Sequence, residues 1–335
     1  MDSVSLMLNS PRGRHFCVNI GYACMNGDGS YRGLRPAFPD VLAKVDVRTI
    51  EQLPENEILN ALAYAVDCAR YWQTPDEEDI VFARPESVAV LKPIAEVLLA
   101  SAIASWWTEP VDLANQRLVQ KFNSTRDVAE LPLLIQPVGD GLQRWREGAV
   151  AQEAKFVEYL IEDPDNTDGS EWWSIPLADG VYRTTRSREC IGAMDLILEE
   201  DGFGWGHARI WPVQVQGAPR VYEITSPADW AHLVDTYPLA VAASRRSVWQ
   251  YTTGEYHDWF IPDWTGVVAD YDAVHLTMMG YLSTPGITIP LTEHSGATVL
   301  AGWDPDTTYW LNNDFLALGD MRIWCHSPDG LWAPA

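Results

Sequence analysis

The 335-residue sequence lacks every short motif that would by itself assign a reaction. It has no G-x-x-x-x-G-K-[ST] loop and no G-x-S-x-G elbow, so neither a P-loop NTPase nor an α/β-hydrolase is supported. The glycines of segment 202–206 lack the spacing and the following helix of a dinucleotide-binding turn. No histidine pair has the spacing of a zincin site. We therefore predict no metal site and no cofactor.

Cysteines and long apolar runs are also scarce. The 5 cysteines are scattered without a C-x-x-C pair, which argues against a zinc knuckle, a redox motif or a disulfide framework. The best apolar run, 97–107, is well short of the roughly 18 residues that span a bilayer, so no membrane partner is expected. The polar N-terminus breaks at Pro11 and does not resemble a signal segment. The expected location is the cytoplasm.

Basic residues are few as well. The sequence has 23 Lys and Arg against 47 Asp and Glu, which gives a formal net charge of −24. Such a surface repels a phosphate backbone, so a nucleic-acid partner is not expected. A small-molecule substrate is the expected partner, and a homodimer stays open.

The first half of the chain shows helical periodicity. Apolar residues recur at helical spacing over 55–72 and again over 142–161. A third helix is predicted over 85–107, where Pro85 suits the first turn and Pro93 is expected to kink or divide the helix. These patterns predict a mainly helical half.

An acidic stretch without apolar residues, 162–170, is the best domain boundary in the sequence. We therefore predict a mainly helical domain over 1–161, a linker over 162–170 and an α+β domain over 171–335. Short strand-like runs and short helices alternate in the second domain, which indicates an α+β fold with a mostly antiparallel or mixed sheet. The candidate strands are 194–198, 208–215, 220–224, 272–276 and 298–301, with a further one at 131–135. The short helices are predicted at 226–237, with Ser226 and Pro227 at its start, and at 263–270.

Tryptophans are concentrated in the second half, where 12 of the 16 lie after residue 170. Several of them follow an acid directly, and large aromatic side chains form cores, interfaces and ligand walls alike. We expect Trp249, Trp264 and Trp303 to line a substrate pocket. The alternative is that these rings belong to the core.

Asp272 and His275 are the candidate catalytic residues. Segment 270–277 reads as a helix end followed by a buried strand, which places an acid near a histidine as a general base requires. The alternative is a core histidine that donates to a backbone carbonyl, with Asp272 closing a turn.

Three further residues are candidates for substrate binding. Arg245 and Arg246 form an adjacent basic pair in an acidic half, which suits an anchor for a carboxylate or phosphate. They are equally suited to pair with internal acids. His257 lies in a predicted loop over 253–259, where function often concentrates, although a solvated hairpin tip explains it too.

The segments 65–73, 220–230, 272–281 and 302–311 resemble a family of actinobacterial proteins. The resemblance implies a bacterial protein and carries over no activity. A more distant similarity links Arg220, Ser283-Thr284 and Asp304-x-Asp306 to the Arg, Ser-Thr-Ser and Glu-x-Glu order of mono-ADP-ribosyltransferases. The middle motif lacks its third residue, and Asp replaces the catalytic Glu. The Asp304-Pro305 pair is also a strong turn signal.

Three functions therefore remain open at the level of sequence. The leading one is a cofactor-independent enzyme of bacterial specialised metabolism that acts on a small aromatic or planar substrate by acid–base chemistry. The others are an NAD-consuming ADP-ribosyltransferase-like enzyme and a non-catalytic interaction or immunity-type protein. Tryptophans that line a concave pocket with His275 would favour the enzyme. Tryptophans packed in a core beside a flat acidic face would favour binding.

Overall fold

The protein has an α+β fold, as predicted. A computed structural model describes residues 2–26, 38–123, 137–168, 171–188, 191–200, 202, 204–327 and 331–335. The helices are α1 Ser3–Asn9, α2 Pro11–Asn26, α3 Glu55–Asp67, α4 Glu77–Phe82, α5 Pro85–Ala100, α6 Gly141–Glu162, α7 Pro227–Thr236, α8 Arg246–Thr253, α9 Trp264–Asp270 and α10 Met278–Ser283. Short 3-10 turns lie at Leu42–Lys44, Val47–Gln52, Ala102–Trp106, Met194–Leu196 and Asn313–Phe315.

The strands are β1 Gln116–Phe122, β2 Tyr182–Arg186, β3 His207–Val215, β4 Val221–Ile224, β5 Pro238–Ala240, β6 Phe260–Pro262, β7 Ala273–Leu276, β8 Ile289–Pro290, β9 Ala297–Thr298, β10 Thr307–Trp310, β11 Leu316–Leu318, β12 Arg322–His326 and β13 Trp332–Pro334. The main sheet has the order β13-β12-β3-β1-β2-β10-β7-β4, and β11 also pairs with β3. Only β4 and β7 pair in parallel among its described strands. The sheet is therefore mixed. Its end at β4 resembles a βαβ unit, because helices including α7 and α9 lie between the parallel strands β4 and β7 in the chain.

Strand β1 comes from the predicted helical half but lies inside this sheet, between β2 and β3. The main core is likewise shared, since Phe16 and Leu62 belong to the same apolar cluster as Trp230 and Tyr309. The sheet and core are thus built from both predicted halves. Whether residues 1–161 and 171–335 fold independently stays a prediction.

The predicted helices begin within one residue of their sequence signals, but α3 ends at Asp67, short of the predicted end at residue 72. Pro85 occupies the first turn of α5, and the helix continues through Pro93 to Ala100 before a 3-10 turn replaces its last predicted residues. Helix α9 begins after Asp263, whose side chain accepts a hydrogen bond from Thr265 N–H. These starts are local, which is why the sequence predicts them.

Two of the predicted strands differ from the structure, and one lies outside it. Residues 194–198 contain a 3-10 turn instead of a strand; most of the run is buried, and it pairs with no strand of the described sheet. In 298–301, only Thr298 belongs to a strand, the two-residue β9. Segment 131–135 lies outside the described residues. In the first two segments, the pattern of apolar residues indicates burial and does not indicate strand pairing.

Aromatic clusters form much of the core. Trp230, Trp264 and Trp303 pack against one another with ring centroids 6.1–6.5 Å apart, and Trp249 packs edge-on against Trp259 at 5.3 Å. All five rings have no exposed surface. Among the described residues, no helix is long and apolar enough to cross a membrane.

Candidate active site

His275 is held between two carboxylates, and Asp272 is not one of them. Its Nδ1 lies 2.6 Å from Glu223 Oε2 and its Nε2 lies 3.4 Å from Asp306 Oδ1. Glu223 is the cross-strand neighbour of His275 in the parallel β4–β7 pair. Burial opposes the charge on His275, but hydrogen bonds to Asp306 and Glu223 outweigh burial and raise its pKa to about 9. His275 is thus an imidazolium at neutral pH, a state that cannot accept a proton.

Asp272 has partners of its own at the start of β7. Its carboxylate accepts hydrogen bonds from Arg220 N–H at 2.8 Å and from Arg220 Nε at 3.1 Å, and Asn312 Nδ2 lies 3.4 Å away. These contacts, Arg220 foremost, hold the pKa of Asp272 below its usual value against the effect of burial. The structure therefore does not bring the predicted acid–base pair together.

Arg245 and Arg246 begin helix α8 but point to different surroundings. Arg245 is buried, and its Nη2 lies 3.2 Å from Glu171 Oε2, so it has the internal acid partner that the sequence left open. Arg246 lies over the Tyr256 ring at 5.2 Å. Arg246 and His257 both line an open surface groove of about 670 Å³. His257 is 37% exposed and contacts Glu255 at 2.7 Å.

The three tryptophans expected in the pocket are core residues. Trp249 donates its indole N–H to Trp172 O at 2.9 Å, and Trp303 donates to Thr307 O at 3.0 Å. The indole N–H of Trp264 is buried without a hydrogen-bond partner. None of the three rings reaches a surface where a ligand could contact it.

A different cavity combines titratable groups with aromatic walls. It has a volume of about 580 Å³, and we call it the Glu200 cavity after a lining carboxyl group whose pKa is raised. Its titratable lining residues are Asp179, Tyr182, Arg183, Glu199, Glu200, Asp304 and Tyr309, and its other walls include Trp172.

Two adjacent strands and two connecting segments position these groups. Arg183 on β2 lies directly opposite Tyr309 on β10, so both side chains are on the same face of the sheet. Asp304 lies just before the turn that leads into β10, where Asp306 has a positive φ of 53°. Glu200 follows the 3-10 turn Met194–Leu196. Asp304 Oδ1 accepts a hydrogen bond from Glu200 N–H at 2.8 Å, which fixes the two acids beside each other.

Two cations hold the acids of this region in place. Arg183 contacts Asp304 at 2.5 Å and Asp195 at 3.3 Å. Lys121 contacts Asp195 at 3.1 Å and Glu199 at 2.9 Å. Burial nevertheless raises the pKa of Asp304 to about 6, because it outweighs the attraction of Arg183. Asp304 is therefore largely ionised at neutral pH but can be protonated just below it.

Glu200 is the group most suited to proton transfer. Its Oε1 accepts hydrogen bonds from Tyr71 at 2.6 Å and Tyr281 at 2.9 Å, whereas its Oε2 is buried without a partner. Burial and the neighbouring charge of Asp304 raise the pKa of Glu200 to about 8, even though both tyrosines stabilise the carboxylate. The oriented carboxyl group thus exchanges a proton near neutral pH.

The aromatic walls suit a flat ligand. Trp172 lines the cavity and packs against Trp72 at 4.8 Å and Tyr71 at 5.8 Å between ring centroids. Gly302, with a φ of 81°, lies beside this wall, and a Cβ there would meet the Trp172 and Trp173 side chains. The backbone at Gly302 therefore packs closely against the Trp172 indole and holds this ring in position at the cavity wall.

Sequence reasoning missed Glu200 and assigned Asp304 to a turn. The turn is present at Pro305–Asp306, but the Asp304 side chain also bonds to Glu200 and Arg183. No local signal marks Glu200, since its partners Tyr71 and Tyr281 are 129 and 81 residues away in sequence.

The residues that resemble the ADP-ribosyltransferase order have separate partners. Arg220 pairs with Asp272, Ser283 donates to Met279 O within α10, and Asp304 pairs with Arg183. Asp306 contacts Arg186 at 3.2 Å and His275. In the part of the chain that the structure describes, no group of three or more His, Cys, Asp or Glu residues is arranged to hold a metal ion.

Comparison with known proteins gives no match: no family model, no curated sequence and no solved structure is significantly similar to this chain.

Proposed function

We propose that the protein is an enzyme that performs acid–base chemistry on a small planar substrate in the Glu200 cavity. The observation that carries the proposal is Glu200 itself, which lines the cavity, has one carboxylate oxygen without a partner and has a pKa raised to about 8. Such groups concentrate where proton transfer occurs, because a catalytic acid or base works best when its pKa lies near the ambient pH.

Each neighbour has a role in this proposal. Tyr71 and Tyr281 donate to Oε1 and thereby direct Oε2, the oxygen without a partner, as the atom that exchanges the proton. Asp304 raises the pKa of Glu200 by its charge and is itself held by Arg183. Trp172 and Tyr182 supply the flat walls against which a planar substrate stacks. Proton abstraction and return at one substrate, as in an isomerisation, needs no group beyond these residues.

Two features would favour a binding protein: tryptophans packed in the core and acids on a flat face. The first feature is present, because Trp249, Trp264 and Trp303 are buried. The second feature, acids on a flat face, is not present at Asp272, Asp304 and Asp306, which are 6%, 3% and 2% exposed and are ion-paired, although Asp258 beside Trp259 is exposed. The cavity, which contains a carboxyl group with a raised pKa, therefore favours an enzyme over a non-catalytic binding protein. No contact of Arg220 or Ser283 favours ADP-ribosyl transfer.

The test is a ligand titration followed by Trp fluorescence across pH 6–9, with aromatic carboxylic acids, nucleosides and NAD as the panel. We expect at least one planar ligand to quench the wild type, and Trp172→Phe to lose most of that response. The apparent Kd should change by up to about tenfold per pH unit on one side of the Glu200 pKa, about 8, because one proton is linked to binding. Glu200→Gln should remove this pH dependence.

Glu255→Gln is the matched control, because Glu255 is an exposed acid of the surface loop and should leave the pH dependence unchanged. Trp324→Phe is the control for the loss of one indole. An absence of quenching with every ligand, or an unchanged pH dependence in Glu200→Gln, would contradict the proposal.

A further inference from the structure

A second cavity, separate from the proposed active site, is lined by three arginines. Its volume is about 560 Å³, and we call it the Arg cavity. Arg12, Arg14 and Arg70 line it together with Tyr71 and Thr288. The protein carries a formal net charge of −24, so a concentration of arginines in one concave site needs an explanation.

Arg14 is a buried cation that lacks a carboxylate partner. It is 9% exposed, and its Nη1 donates to Leu8 O at 3.0 Å and Asn9 O at 2.8 Å. Its Nε has no hydrogen-bond partner, and it forms no ion pair with any carboxylate of the described residues. Burial lowers its pKa to about 10, so the guanidinium is still charged at neutral pH. A buried charge is costly unless it is paired, so the Arg14 guanidinium is suited to bind an anion.

Among the described residues Arg12 forms one ion pair, which is long and shared, and the charge of Glu200 also acts on it without an ion-pair contact. Its Nη2 lies 3.7 Å from Asp79 Oδ1, and the same oxygen contacts His15 Nε2 at 2.8 Å. Its Nη1 donates to Ala65 O, and its Nε has no partner. Within the described part of the chain, Arg70 donates to the carbonyls of Asp67 and Ala69 and forms no ion pair. Two acids, Asp79 and Glu255, also line the cavity against the three arginines, so the described lining residues neutralise its cationic charge only in part.

The position of two of these arginines adds an independent argument. Helix α2 begins at Pro11, so Arg12 and Arg14 lie in its first turn, where the helix has no acid. The N-terminus of a helix carries a partial positive charge that disfavours cations and attracts anions. Thr288, whose hydroxyl is buried without a partner, also lines the cavity as a further hydrogen-bond donor.

We propose that the Arg cavity binds the oxyanion group of a small ligand, a phosphate or a carboxylate. Guanidinium groups bind both by paired N–H···O hydrogen bonds, and Arg14 and Arg12 supply buried donors while Arg70 supplies one at the rim. The site does not use Glu200, so it stands whether or not the proposed function holds.

Isothermal titration calorimetry of the full chain at low ionic strength and pH 7 tests the site, with inorganic phosphate in one arm and citrate in the other. We expect saturable binding in at least one arm, and the stronger arm identifies which oxyanion the site prefers. Arg14→Gln should weaken binding at least about tenfold, because a charge-assisted bidentate contact is lost. Arg70→Gln, which changes an exposed side chain and keeps the fold, should weaken binding severalfold.

Arg144→Gln is the matched control, since Arg144 is 59% exposed, pairs with Asp179 and lies outside the cavity. It should leave the affinity within about twofold, because an isolated surface charge contributes little. The absence of heat in both arms, or equal weakening in Arg70→Gln and Arg144→Gln, would overturn the proposal. Glu200→Gln should retain anion binding, which separates this result from the test of the active site.

Discussion

Trp264 and Trp303 show how much a single hydrogen bond matters for a buried indole. Both rings are fully buried and pack against each other at 6.1 Å, yet only Trp303 has a partner for its N–H. Replacement by Phe removes similar volume at both sites. Trp303→Phe also deprives Thr307 O of a donor, whereas Trp264→Phe removes a polar group that had no partner.

We therefore expect Trp303→Phe to lower the free energy of unfolding by about 1–2 kcal/mol more than Trp264→Phe does. Urea unfolding followed by circular dichroism at pH 7 measures the difference. Equal losses would show that ring packing alone determines the contribution of these residues.

Two of the acids that directly precede a tryptophan, Asp263 and Asp258, also differ in their structural role. Asp263 begins α9, accepts from Thr265 N–H at 3.1 Å and contacts Arg146 at 2.6 Å. Asp258, before Trp259, is exposed and lies in no helix. The similar dipeptides therefore differ in structure, and the helix start explains only one of them.

At the scale of the element, Asp263→Ala should destabilise the protein by about 1–2 kcal/mol, because it removes the N-cap of α9 and an ion pair. Asp258→Ala is the matched control and should change stability by less than about 0.5 kcal/mol. Thermal and urea unfolding of both variants measure the difference. A similar loss in both would show that Asp263 does not act through the cap.

The secondary-structure elements were predictable where their signals are local. Pro85, Asp263 and the Ser226–Pro227 pair lie at helix starts because caps and first-turn prolines act within three or four residues. The candidate site was not predictable in this way. Asp272 is three residues from His275 in sequence, but sheet pairing places Glu223, which is 52 residues away, against the imidazole.

At the scale of the whole molecule, His275 links β7 to Glu223 on β4 and to Asp306 at the start of β10. Its pKa is raised from 6.5 to about 9, so the folded state retains a proton that the unfolded chain releases between these values. The stability that this proton contributes is fully present below about pH 6.5 and is lost as the pH rises through 9.

We expect His275→Gln to destabilise the protein by on the order of 3 kcal/mol more at pH 6 than at pH 9.5. Urea unfolding at both pH values measures this difference, and His257→Gln, at an exposed histidine, is the control. Glu200 and Asp304, whose pKa values are also raised, are present in both proteins, so their contributions cancel in the comparison. A destabilisation independent of pH would contradict the assignment of an imidazolium.

Tyr71 has a position that connects the two cavities. Its ring lines the Arg cavity, and its hydroxyl group donates to the carboxylate of Glu200 in the other. Arg12, beside the same ring, favours the ionised form of Glu200 by its charge. An anion on Arg12 would weaken that effect and make Glu200 a weaker acid. Thermodynamic reciprocity then requires each ligand to change the affinity of the other by the same factor, so the two sites would form a linked pair of receptors.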